Sequence, residues 1–190
     1  MQRQELVNSQ PVDSEVIIET RELSRVYPGV VALDNVNYRV YRNKVNVLIG
    51  ENGAGKSTMM KMLAGVETPS SGQIILDGAP VTLSSTHQAE KQGISIIFQE
   101  LNLFPNMNVM DNIFMAIEFF QKGKINEKYQ YELAKSLLER LELDVDPYTQ
   151  LGELGIGHQQ LVEIARALSK DTRVLIMDEP TSALSQSEVK

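Results

Sequence analysis

Eight consecutive residues, Gly50-Glu51-Asn52-Gly53-Ala54-Gly55-Lys56-Ser57, restrict this chain more than any other feature. They satisfy G-x-x-x-x-G-K-[ST] without a mismatch, and the context suits the pattern. An apolar run, Val45 to Ile49, reads as a strand leading in, and Ser57 to Ala64 reads as a helix leading out. Glycines allow the backbone to turn inward so that successive N–H groups converge, and the helix adds its positive end. Such a nest suits a polyphosphate. Lys56 is placed to neutralise charge between a β- and a γ-phosphate, and Ser57 to offer its hydroxyl to Mg2+, with Thr58 next in the helix. The competing reading is a glycine-rich turn that happens to carry Lys-Ser.

A second constellation lies far downstream. Val174-Leu175-Ile176-Met177 is a short apolar strand closing on Asp178-Glu179-Pro180. A strand covered on both faces delivers its last residues to the carboxyl edge of a parallel sheet, where ligands sit. Asp178 is then suited to hold Mg2+ through water, and Glu179 to polarise a water attacking the γ-phosphate. Alone, Asp-Glu-Pro after a strand reads more simply as a solvated turn. The phosphate nest upstream favours the functional reading.

Between these points the pattern alternates. Val16 to Ile18 and the alternation of Val36, Tyr38 and Val40 predict strands of a half-exposed antiparallel sheet. Ile74 to Leu76 and Ile94 to Phe98 predict further strands, with Ser84 as the N-cap of a short helix between them. From Pro105 the texture becomes helical: Val109 to Ala116, then Glu127 to Leu141 with Leu133, Leu137, Leu138 and Leu141 on one stripe. A helix from Gln159 to Ser169 precedes the acidic strand, with Leu161, Ile164, Ala165 and Leu168 on one side. The order predicts an α/β core with a helical subdomain, about 104–166, set into it, and a polar disordered leader at 1–14.

Composition excludes several classes. The chain has 190 residues, a formal net charge of -7 and no cysteine. Disulfides and thiolate metal sites are therefore ruled out, and the acidic balance argues against a nucleic-acid-wrapping surface. No apolar run approaches the ~18 to 20 residues of a membrane-spanning helix, and the polar start matches neither a signal nor a transit peptide.

Three further segments narrow the class. Gln99 follows the strand at Ile94 to Phe98; Glu153 to Leu161 (ELGIGHQQL) precedes a helix; Pro180-Thr181-Ser182-Ala183-Leu184 follows the acidic pair. In this order they resemble the Q-loop, signature motif and D-loop of the ABC ATPases, whose fold is a P-loop NTPase (RecA-like) core with an N-terminal antiparallel β subdomain and an inserted helical subdomain. The likeness runs from about Val16 to Lys190. The strings YPGVVALDNV, GENGAGKSTMMKMLAGV, FQELNLFPNMNVMDNI, GIGHQQLVEIARAL and MDEPTSALS are similar to the tandem-domain ATPases of bacterial monosaccharide and polyol importers, and match the first half only.

The resemblance implies roles. Tyr27 stands where the family places an aromatic that stacks on adenine, the alternative being a packing tyrosine of the sheet. Gln99 would touch Mg2+ and the attacking water. Gly155, Ile156 and Gly157 would present N–H groups to the γ-phosphate of an ATP bound by an opposing ATPase domain, in the same chain or a second copy. Glu179, Lys56 and Gln99 would carry ATP hydrolysis, at the cytoplasmic face of the inner membrane, with permease subunits and a solute-binding protein as partners and no nucleic acid. A soluble ABC protein acting on DNA or ribosomes, a nucleotide-binding piece without catalysis, and a P-loop kinase are the competing classes.

Departures from the family pattern carry expectations of their own. Gly155 replaces the signature serine and His158 the glutamine; loss of the serine hydroxyl predicts that one of the two sandwiched sites is weak and that Gly155→Ser raises turnover, the alternative being a tolerated variant with its backbone contacts intact. Asn43-Lys44 replaces a Gly-Glu turn, and asparagine tolerates the positive φ such a turn requires. His87 and His158 are the only histidines, and both precede the acidic strand. The family's switch histidine and a central core strand are therefore expected beyond Lys190, and the chain is expected to be incomplete at its C-terminus and to hydrolyse ATP feebly alone.

Overall fold

The computed structural model of the chain describes residues 15–115, 117, 120–121 and 124–178. The leader expected at 1–14, the helix end at Ala116 and the Glu179 to Leu184 segment lie outside these. The fold is α/β and divides in sequence into two compact units, at Thr86/His87.

The first unit is built on an antiparallel sheet of order β2-β1-β3-β4, comprising β1 (Val16–Tyr27), β2 (Val30–Tyr41), β3 (Ser71–Leu76) and β4 (Ala79–Val81). The two long strands far exceed the short runs legible in sequence, because bulges break their alternation while the pairing continues. Register shifts flank Leu23, and Glu22 and Asn35 take φ of 49° and 47°. Side chains meet the backbone donors at those kinks: Asn37 Oδ1 accepts from Glu22 N–H at 3.0 Å, and Ser24 Oγ from Asn35 N–H at 2.8 Å. Buried Thr20 donates to Val36 O and accepts from Tyr38 N–H, so it leaves nothing unpaired. The turn after β2 holds Asn43 at φ 52°, as asparagine there predicts.

Helix α1 (Lys56–Leu63) buries Met59, Met62 and Leu63, an i, i+3, i+4 face. The strand expected at Val45 to Ile49 is not formed. Val45, Val47 and Ile49 are 92%, 67% and 87% exposed, and no strand pairs with them among the described residues. Alternating apolar side chains give a segment the capacity for a strand, but a strand exists only where a neighbour completes its ladder.

Helix α2 (Thr86–Lys91) starts one residue later than Ser84 would have capped, so Ser85 stands before it. In the second unit β5 (Ile94–Ile97) pairs in parallel with β8 (Val174–Met177), from Ile94↔Val174 to Ile97↔Met177. A two-residue pair, β6 (Phe120–Gln121) and β7 (Lys124–Ile125), lies between them in sequence. Helices α3 (Val109–Ile113), α4 (Glu127–Arg140) and α5 (Ile156–Leu168) share one apolar core of Val109, Ile113, Leu137, Leu138, Leu151 and Val162 among others. Leu133 and Leu141 pack at its margin, so the leucine stripe read in sequence is the buried face. Asn108 and Asn126 cap α3 and α4, accepting from Asp111 N–H at 2.7 Å and Tyr129 N–H at 3.2 Å.

Candidate functional site

In the first unit the glycine loop is curled around its own lysine. Lys56 Nζ donates to Gly50 O at 2.7 Å and Glu51 O at 2.9 Å, and Ala54 N–H closes a turn on Glu51 O at 3.1 Å. Gly53 and Gly55 adopt φ of 83° and 84°, a region that costs any residue with a Cβ. At Gly55 space is also refused: a Cβ would lie 2.5 Å from Ala32 O and 2.8 Å from Leu33 Cδ2. The loop therefore rests on β2. The first intrahelical donation of α1 runs from Met59 N–H to Gly55 O, so the helix starts with its positive end toward the loop and no acidic residue in its first turn. Glu51, Asn52, Gly53 and Ala54 are exposed. The sequence pattern thus corresponds to a glycine loop folded about Lys56, with Ser57 and Thr58 in the first turn of the helix that follows.

Tyr27 ends β1 in the same unit and is half-buried. Its hydroxyl donates to the Glu67 carboxylate, and the Arg25 guanidinium lies 4.8 Å from its ring centroid. Sequence reasoning singled out Tyr27 and missed both neighbours. Arg25 was legible: it stands two residues before Tyr27 on a strand, hence on the same face. Glu67 carried no signal, since it arrives from the turn after α1.

In the second unit the β5–β8 pair carries Gln99 and Asp178 to one edge. Asp178 N–H donates to Ile97 O at 3.1 Å, one step past the last paired residues, and Gln99, exposed, follows two residues beyond β5. The acidic strand was expected to be covered on both faces; instead only Ile176 is buried and Met177 is 37% exposed. Glu179 lies outside the described residues. Within this unit Gln99 and Asp178 bring an amide and a carboxylate oxygen, the kind of donor Mg2+ prefers.

The signature segment differs from its sequence reading. Helix α5 begins at Ile156 rather than Gln159, so Gly155 is its N-cap and Ile156 and Gly157 form its first turn. Their N–H groups belong to the helix's positive end instead of a loop before it. Gly155 has φ -60° and ψ 156°, an ordinary extended conformation, and a Cβ there would meet nothing within 4 Å. Gln159 Nε2 returns to Leu154 O at 2.8 Å, tying the turn down. Further along α5, Glu163 is buried, with Oε1 accepting from Arg166 Nη2 at 3.2 Å and, at 3.4 Å, from Asn102 N–H in the segment after Gln99. Burial pushes the Glu163 carboxyl above its usual range, against the opposing pull of the Arg166 charge and the Asn102 N–H.

A glycine loop curled about a lysine at the start of a helix, on an α/β scaffold, is the build of the P-loop NTPase fold. The family described as "ABC transporter" matches residues 33–182, and the chain belongs to that family. It is 50% identical over 179 residues to the xylose import ATP-binding protein XylG of Thermoanaerobacter pseudethanolicus, covering 93% of this chain and 35% of the relative. It is 45% identical over 174 residues to the ribose import ATP-binding protein RbsA 1 of Rubrobacter xylanophilus, covering 92% and 35%. The chain thus spans about a third of the length of these curated relatives. Among solved structures it resembles the ADP conformation of MJ1267, an ATP-binding cassette of an ABC transporter, with TM-score 0.77 and 25% identity over 91% of this chain and 72% of the other. CbiO1 of Clostridium perfringens, part of the transporter complex cbiONQ, gives TM-score 0.77 and 30% identity over 92% and 70%. Among the described residues no helix is long and apolar enough to cross a membrane.

Proposed function

We propose that this chain binds Mg-ATP and hydrolyses it to drive import of a sugar or polyol, as the nucleotide-binding part of an ABC transporter. One observation carries the reading: a glycine loop already curled about Lys56 at the start of α1, which offers amides and a cation to a triphosphate before any ligand arrives. Such preorganisation is what phosphoryl transfer asks of a protein, since positioning and charge stabilisation do most of the work. In this reading Gly50, Glu51, Asn52, Gly53, Ala54, Gly55, Lys56, Ser57 and Thr58 cradle the phosphates and Tyr27 carries the base. Ser57, Gln99 and Asp178 would hold Mg2+, which would supply charge neutralisation at the phosphates, and Glu179 would take the proton of the attacking water. Gly155, Ile156 and Gly157 face the γ-phosphate of an ATP on an opposing cassette, whose loss on hydrolysis releases the pair.

The solute class rests on likeness to xylose and ribose import proteins. The same likeness supports membrane permease subunits and a solute-binding protein as partners, peripheral placement at the cytoplasmic face of the inner membrane, and a helical subdomain at about 104–166. Two variants test the core of the proposal. Lys56→Ala should weaken Mg-ATP binding about tenfold or more by removing a charge-assisted contact. Glu179→Gln should leave binding intact and reduce hydrolysis roughly a hundredfold or more. Unchanged turnover in Glu179→Gln would remove Glu179 as the base; unchanged affinity in Lys56→Ala would overturn the phosphate nest itself.

A further inference from the structure

The two ends of α1 keep different company. Lys56 opens the helix inside the glycine loop. At the far end Gly65, at φ 70°, terminates it, and Val66 and Glu67 N–H both turn back to Lys61 O, at 2.8 and 3.3 Å. A side chain at Gly65 is excluded as well, because a Cβ would lie 2.4 Å from Ser85 O. This tight exit carries Glu67 onto the end of β1. There its carboxylate accepts from the Tyr27 hydroxyl and pairs with Arg25 Nε at 3.3 Å.

Arg25 is itself held from two directions. Its Nη1 donates to Thr68 O at 2.7 Å, in the same exit turn, while its guanidinium covers one face of the Tyr27 ring. Tyr27 is thus gripped at its hydroxyl by Glu67 and on one face by Arg25, and it remains partly exposed. The same scaffold seats the phosphate loop, because Gly55 rests on Ala32 and Leu33 of β2, and Leu33 is the register partner of Arg25 on β1. One short helix and one hairpin therefore connect a fixed aromatic ring to a fixed anion nest.

We propose that Arg25 and Glu67 are positioning residues for the nucleotide base, forming with Tyr27 a layered platform of guanidinium, phenol ring and purine whose place relative to the phosphate nest is set by the turn after α1. The proposal rests on the reading of Tyr27 as the base platform. A free tyrosine must give up rotamer freedom when a base stacks on it, whereas a ring already gripped at its edge and one face has given that up on folding. The guanidinium also favours the arrangement as a planar cation stacked on an aromatic face. Neither residue touches phosphate in this account, so their effect must be confined to ligands that carry a base.

The test compares Mg-ATP with Mg-bound inorganic tripolyphosphate, which has the charge but no base, by calorimetric titration of the purified protein. Tyr27→Ala should raise the Mg-ATP Kd roughly tenfold, within the range for loss of one stacked base, and leave tripolyphosphate affinity unchanged. Arg25→Met, which keeps an unbranched apolar stem, and Glu67→Gln should each raise the Mg-ATP Kd about threefold to tenfold, again with tripolyphosphate unaffected. In the Tyr27→Ala background Arg25→Met should add nothing further, and Arg25→Lys should fall between Met and the native residue. Tripolyphosphate binding doubles as the folding control; if Arg25→Met loses it, Glu67→Gln decides. Native Mg-ATP affinity in both Arg25→Met and Glu67→Gln, while Tyr27→Ala is impaired, overturns the positioning role and spares Tyr27. An unimpaired Tyr27→Ala overturns both.

Discussion

Lys56 holds the loop it is proposed to serve: in donating to Gly50 O and Glu51 O it ties the glycine turn down on itself. Gly72 is under the opposite pressure. It holds φ 85° at the start of β3, where a Cβ would lie 2.3 Å from Glu22 O. Gly72→Ala should therefore lower stability by about 3 kcal/mol, measured by denaturant unfolding, because the strained backbone and the clash add. Gly155 is a glycine with neither constraint, and its N-cap position welcomes an oxygen. Gly155→Ser should stabilise by roughly a few tenths of a kcal/mol and, on the proposed role of the segment, increase ATP turnover in a steady-state assay. Glu163 supplies a pH dependence with a definite sign. Its carboxyl is raised by burial above the ordinary 4.5, so the fold prefers it protonated. The associated stability is complete below 4.5 and is lost as pH rises through the raised folded value. Glu163→Gln resembles the protonated form, so its melting temperature should gain on the native protein as pH climbs from 4.5 toward neutrality; a constant gap between the two would contradict the assignment.

Among the elements, those with a long apolar stripe were legible and those defined by glycine or by a single polar anchor were not. The leucines of α4 announced both the helix and its buried face, since nothing but a 3.6-residue period places Leu133, Leu137, Leu138 and Leu141 together. The start of α5 was hidden because Gly155 and Gly157 look like loop residues on intrinsic preference; in the fold one is an N-cap and the other is buried in the first turn. The segment leading into α3 owes its shape to Asn112, which is fully buried. Its amide accepts from Phe104 N–H at 2.8 Å and donates to Phe104 O at 3.0 Å and Asn108 O at 2.9 Å. Asn112→Ala would strand those buried backbone groups and should cost about 3 kcal/mol in chemical denaturation. No pattern in the sequence marks that asparagine, because its partners are carbonyls and amides that every residue owns.

At the scale of the whole molecule, the glycine loop and the acidic strand could be read from residue types because each is a local run whose shape depends on its own backbone. Pairing between distant segments is different in kind. Val174 to Met177 looked like a strand and found β5, whereas Val45 to Ile49 looked just as much like one and pairs with nothing among the described residues. Hydrophobic alternation reports what a stretch is able to join, while the ladder depends on who is available to join it. For anyone handling the protein in solution, that bare segment is expected to act as glue. Turbidity and light-scattering mass should climb with concentration, and a single lysine at Val47, directing charge out of the sticky stretch, should suppress the climb without disturbing tripolyphosphate affinity.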